Sequence, residues 1–154
     1  MRFLDRFRRT AGPGCDDPVF GRLAHDGTAW QGRPFFAPAS GTVPIAIVGA
    51  AVPPGDRERA RFGELEARYA SLLPAIAQAL FDLYAPAREA DVDTLPDPSS
   101  ATDLMRFIRL DWIELSAHDA CRLGYGFVEG VGWDDAMFTV KIVGETVTGE
   151  SLED

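Results

Sequence analysis

Apolar residues recur with period two on both sides of one block of helical spacing, and that arrangement restricts the chain to few fold classes. Ahead of the block, Pro18 opens an expected strand over 19–24, and His25, Asp26 and Gly27 supply a tight turn. A second strand is expected over 28–36, with Pro34 marking an edge or a bulge because proline cannot donate to a ladder. Pro38 and Gly41 turn the chain into a third strand over 43–49, where Val43, Ile45 and Ile47 share one face and Pro44 and Ala46 the other.

Pro53, Pro54 and Gly55 end this meander, and Asp56 is the expected cap of the helical block. Phe62, Leu65, Tyr69 and Leu72 form an apolar stripe, with Arg57, Glu58, Arg59, Arg61, Glu64, Glu66 and Arg68 filling the outer face. Ser71 and Pro74 mark either a break with a new cap or a proline kink in one longer helix. Ile76, Leu80, Leu83 and Tyr84 continue as a second stripe that stops near Pro86. Residues 91–99, with Pro96 and Pro98, read as an exposed connection, and Ser100 with Asp103 resembles a capping box opening a short helix over 101–106.

Beyond it the spacing is strand-like again. The alternation over 107–116 slips at Trp112 and Ile113, which a bulge would explain. Over 121–133 it runs cleanly, with Cys121, Leu123, Tyr125, Phe127, Val131 and Trp133 facing one way. Gly124, Gly126, Gly130 and Gly132 form a bare strip facing the other. Ala136, Phe138, Val140 and Ile142 line a last strand, and a polar acidic tail follows from Glu145. The order β-β-β-α-α-β-β-β is that of an α+β protein, a mainly antiparallel sheet with two helices packed on one face. With 154 residues the expected organisation is a basic N-terminal segment and linker over 1–16, a single domain over 17–145 and an acidic tail over 146–154.

Charge narrows the partners. Arg2, Arg6, Arg8 and Arg9 against Asp5 give +3 over the first nine residues, which leaves −12 on the remainder of a chain whose total is −9. A body so negative repels phosphate backbones and steers cationic partners inward, so a protein with a basic surface is expected rather than nucleic acid. The commonest use of such acidity is simply to keep a protein dissolved. Residues 3–9 could form one amphipathic turn, but it is too short to hold a membrane, and Asp5 and Arg6 interrupt anything like a signal peptide. No apolar run approaches the ~20 residues of a membrane span, and a cytoplasmic location is expected.

Catalytic motifs are missing. Cys15 and Cys121 form neither a CxxC nor a metal-ligand spacing, and an apolar strand face is where the Cys121 thiol would be inert packing. GxSxG, GxGxxG and the P-loop pattern do not occur, so no cofactor is expected. His25 beside Asp26 and His118 beside Asp119 are base–carboxylate pairs in composition only, since neighbours in a turn rarely attain that geometry. Asp111, Glu114, Glu129, Asp134 and Asp135 lie on or near the C-terminal strands, where carboxylates could do acid–base work or hold a hard cation. Asp134 and Asp135 are also what a hairpin turn favours, and a solvated turn with a negative face is the preferred reading. Trp30, Trp112 and Trp133 fall on expected strands, where burial is the default. A partly exposed tryptophan beside carboxylates, however, suits a hot spot for an Arg- or Lys-rich partner, which singles out Trp112, Glu114, Glu129, Trp133, Asp134 and Asp135 as the candidate binding set.

Asp17-Pro18-Val19-Phe20-Gly21-Arg22-Leu23 followed by Trp30-Gln31-Gly32 resembles a family of small uncharacterised bacterial domains. In that family a "DPxFGxL…WxG" hairpin precedes two helices and a closing strand pair with a Trp-Asp motif. The stretch from Leu73 to Tyr84 is similar to the family's helical segment, and Trp133-Asp134-Asp135 to its Trp-Asp part. The family motif continues with an acidic residue, histidine and glycine, whereas this chain has Asp135-Ala136-Met137, so any role of that histidine is lost. Small acidic domains of this kind often accompany bacterial toxin systems, and the resemblance implies an immunity-type role. Three functions follow in order: a non-enzymatic protein-binding module masking a basic partner, a hydrolase or metal-assisted enzyme using Asp111, Glu114, Glu129 and Asp134, and a homo-oligomeric scaffold, a dimer for instance, joined through a strand edge.

Overall fold

The computed structural model describes residues 12–91 and 93–153, so the expected basic turn near the N-terminus lies outside the described residues. They divide into two compact units, one formed by the described part of Met1–Tyr69 with Trp112–Cys121, the other by Ala70–Asp111 with Arg122 onward. The fold is α+β, with a mixed, mostly antiparallel sheet and two helices.

In the first unit, β1 (Gly14–Asp17), β2 (Gly21–His25), β3 (Ala29–Gly32) and β6 (Ile45–Val48) form an antiparallel ladder in that order, and β6 then pairs in parallel with the end of β7 (Ile108–Leu115). β4 (Phe35–Phe36) and β5 (Gly41–Thr42) make a separate ribbon around a 3-10 turn at Ala37–Ala39. Strand β1 falls in the stretch read as linker. Glycine and aspartate carry little strand propensity, and it is pairing with β2, Gly14 opposite Ala24 and Asp17 opposite Gly21, that fixes it. The long second strand is divided at Pro34, with β3 ending before it and β4 resuming after it.

Strand β7 pairs in step with β6 over its last three residues, Ile45 opposite Ile113 and Ile47 opposite Leu115. This pairing accounts for the lapse in alternation. A long helix intervenes between β6 and β7, a crossover that allows parallel pairing, and parallel strands are buried on both faces. Trp112, Ile113, Glu114 and Leu115 are accordingly all buried.

The helical block is one helix, α1 (Asp56–Ala90), passing through both Pro74 and Pro86. Its cap is Gly55 rather than Asp56: the Gly55 carbonyl accepts from Arg59 N at 3.2 Å, and Glu58 Oε2 reaches back to Gly55 N at 2.8 Å. Phe62 meets Phe20 edge-on at 5.5 Å and Phe36 at 5.7 Å, which ties the first turns of α1 to the first unit's core. An interior proline weakens a helix by about 3 kcal/mol, and the buried stripe of Leu72, Ile76, Leu80 and Tyr84 offsets it.

The second unit carries the ladder β7, β8 (Cys121–Phe127), β9 (Met137–Val143) and β10 (Thr146–Glu153), with the short α2 (Ala101–Leu104). Ser100 caps α2 by accepting from Asp103 N at 3.1 Å, as its sequence suggests. Tyr84 packs against Phe127 and Phe138, with ring centroids 6.1 and 6.2 Å away, and its hydroxyl donates to the Pro96 carbonyl. Two expectations change. Residues 146–153, read as a polar tail, form β10, antiparallel to β9 with Val147 opposite Ile142. Strand β8 stops at Phe127, and Gly130 (φ +77°) and Gly132 (φ +65°) are left-handed turn residues, not part of a bare strip along a strand.

Candidate functional site

The strand pair β8 and β9 is joined by a turn over 128–136 that holds four of the six singled-out residues. It is tied at its start by Val128 N donating to Phe107 O at 2.8 Å, and within itself by Val131 N to Val128 O and Ala136 N to Trp133 O, both 3.1 Å. Gly132 lies so close to the Phe127 ring that a Cβ there would be 2.7 Å from it. Trp133 is half-buried, and its indole Nε1 donates to Asp91 Oδ2 at 3.0 Å, just past the end of α1. Asp91 also accepts from the Thr94 hydroxyl, and these two donors, Thr94 first, hold its carboxyl below the ordinary range. Around this anchored ring Glu129, Asp134 and Asp135 are exposed. Glu129 and Asp134 make no hydrogen bond or ion pair among the described residues.

Asp91 belongs to the constellation although its sequence context is that of an exposed connection. Its sequence signal is slight, an aspartate at a helix end with Thr94 three residues on, and only folding brings Trp133 to it.

Trp112 and Glu114 lie on β7 and are not residues of this turn. They belong to the first unit, 4% and 9% exposed, so neither offers a ring or carboxylate to a partner's surface. Trp30, also 4% exposed, is core, its ring 5.0 Å from that of His25. Asp111 is bound to Arg109 Nε at 2.9 Å. Among the described residues no three of histidine, cysteine, aspartate and glutamate converge as metal ligands.

The histidine pairs are engaged in turn geometry. His25 Nδ1 accepts from Gly27 N at 3.2 Å, while Asp26 accepts from Thr28 N and Ala29 N at 2.8 Å and from Gln31 Nε2 at 2.6 Å. Asp119 adopts φ +59° and is paired with Arg57 at 2.6 Å; that hydrogen bond, foremost, lowers its carboxyl. Arg61 donates to Ser116 O at 2.6 Å and Ala120 O at 3.0 Å, closing the loop that leads into β8. Burial pushes the Cys121 thiol up to about 12, where the thiolate is scarce and the sulfur unreactive.

Compared with family models, with curated proteins and with solved structures, the chain has no match.

Proposed function

We propose that the protein is a binding module without catalytic chemistry of its own, which captures a protein with a basic surface at the turn over 128–136. The observation that carries this reading is the anchoring of Trp133 by Asp91, which fixes an aromatic ring amid the exposed Glu129, Asp134 and Asp135. A preset aromatic and carboxylate turn recognises Lys and Arg at little ordering cost, by ion pairing and by stacking of the cation on the ring. The net charge of −9 favours the same partner through faster encounter. An immunity-type role, masking a cationic protein, is the specific form of this reading that the sequence resemblance suggests.

The test begins with a tagged full chain used to recover partners from native lysate at low and at high salt. One stoichiometric cationic protein, lost at high salt, supports the reading. Its affinity is then measured calorimetrically against the Asp134→Lys/Asp135→Lys double variant, which should bind at least about tenfold more weakly and with a shallower salt dependence. Unchanged affinity and salt dependence would remove the turn from the interface.

A further inference from the structure

Strand β10 ends its ladder. It pairs with β9 alone, and among the described residues no other backbone hydrogen bond involves 146–153. Gly144 (φ +60°) and Glu145 join the two strands as a two-residue hairpin of the II′ kind, with Val143 opposite Thr146. In such a hairpin the pair flanking the loop exchanges both its hydrogen bonds, and the pairs alternate from there. Thr148 opposite Lys141 therefore bonds inward, whereas Val147 and Gly149 direct their N–H and C=O groups away from β9.

Of the devices by which edge strands ordinarily resist pairing, lysine, arginine and proline are missing from residues 146–153, while a register shift between Gly149 and Ser151 confines the regular edge to 146–149. Beside the edge a groove of about 500 Å³ opens between Gln78, Asp82 and Leu83 of α1 and Val147 and Gly149 of β10. Its floor is close-packed, since a Cβ on Gly149 would come within 2.9 Å of Leu83 Cγ. Asp82, exposed and accepting from Gln78 at 2.8 Å, supplies its carboxylate.

We propose that the β10 edge takes up an extended, lysine- or arginine-bearing segment of another protein by strand addition. The outward groups of Val147 and Gly149 provide the backbone pairing, and alternate side chains of the guest enter the groove, where a cation meets Asp82. Charge selects this occupant over a second copy of the chain. A copy would bring its own Glu150 and Glu153 against these, and like charges across a strand pair are unfavourable, while Arg122 already engages Glu150 at 2.7 Å and has little to offer a second carboxylate. This inference shares with the proposed function only the basic character of the partner; the surface is a different one.

The probe is a fluorescently labelled peptide about ten residues long built from repeats of Lys-Thr-Lys-Val, titrated with the full chain and read by anisotropy. A peptide of Glu-Thr-Glu-Val repeats is the control. Saturable binding of the lysine peptide that weakens with salt, and none of the glutamate peptide, is expected. Val147→Pro removes one outward donor while the inward ladder keeps its own, and should weaken binding by about tenfold or more with the far-ultraviolet circular dichroism unchanged. Should that variant fail to fold, Asp82→Lys, a change at an exposed site, should produce a comparable loss. Three results would each overturn the proposal: no binding of the lysine peptide, binding indifferent to the edge and groove variants, or binding lost on Asp134→Lys instead. A dimer seen by light scattering and dissolved by Val147→Pro would give the edge to a second copy.

Discussion

Asp17 is the residue whose removal the structure prices most clearly. Its side chain is 4% exposed and both oxygens are engaged. Oδ1 accepts from Val19 N at 2.8 Å and Phe20 N at 3.0 Å, closing the turn between β1 and β2, while Oδ2 accepts from Arg59 Nε at 3.0 Å and Nη2 at 2.8 Å. Asp17→Ala leaves two backbone N–H groups without an acceptor, one buried and one partly so. At about 1–2 kcal/mol for each, the loss is roughly 2–4 kcal/mol. For a domain of this size that corresponds to a fall in Tm of about 4–16 °C. Nothing is added for the ion pair, because Arg59 is 29% exposed and retains Asp56 at 2.8 Å. Asp17→Asn keeps an acceptor at Oδ1 and should lose less than half as much. Chemical denaturation of the three proteins, with equal m-values as the check that the unfolded states match, measures this. Equal losses for the two variants, or less than about 0.5 kcal/mol for Asp17→Ala, would refute the assignment of the energy to the turn N–H groups. The acid limb gives a second reading. Burial by itself would raise the Asp17 carboxyl, but the Arg59 hydrogen bond, aided by Phe20 and Val19, outweighs it and holds the group below its ordinary 3.8. A depressed carboxylate contributes stability that is complete above its unfolded value and is lost as pH falls through its folded value. The gap between wild type and Asp17→Asn should therefore be constant above about pH 5 and narrow below 3.8.

Two further outcomes follow from the second unit's turn and from the thiols. Gly132→Ala must hold an alanine at φ +65° and drive its Cβ within 2.7 Å of Phe127, a ring locked by Tyr84 and Phe138; thermal melts should show a loss of about 2–4 kcal/mol. Gly130→Ala, at φ +77° with open space around it, should lose only about 1 kcal/mol, and equal losses would mean that the ring yields. Iodoacetamide at about pH 8 should modify one cysteine, the half-exposed Cys15, in the native protein and two in denaturant, counted by mass spectrometry; rapid native labelling of Cys121 would contradict its burial.

Local sequence determined the elements whose signals are local. The α+β class, the helical stripe from Phe62 to Tyr84, the Asp26 and Gly27 turn and the capping of α2 by Ser100 and Asp103 each depend on residues within a few positions of one another. Where the deciding partner is distant in the chain, only tertiary structure could decide. Strand β1 exists because β2 pairs with it, and the polar residues of β10 are ordered because β9 lies beside them. Parallel pairing with β6 buries β7 on both faces, which removes Trp112 and Glu114 from the surface although their sequence neighbourhood matches that of Trp133. The Trp133–Asp91 hydrogen bond spans more than forty residues, and no spacing rule reaches so far. Composition supplied the acidic character; which carboxylates face outward was settled by the packing of the rings and strands beneath them.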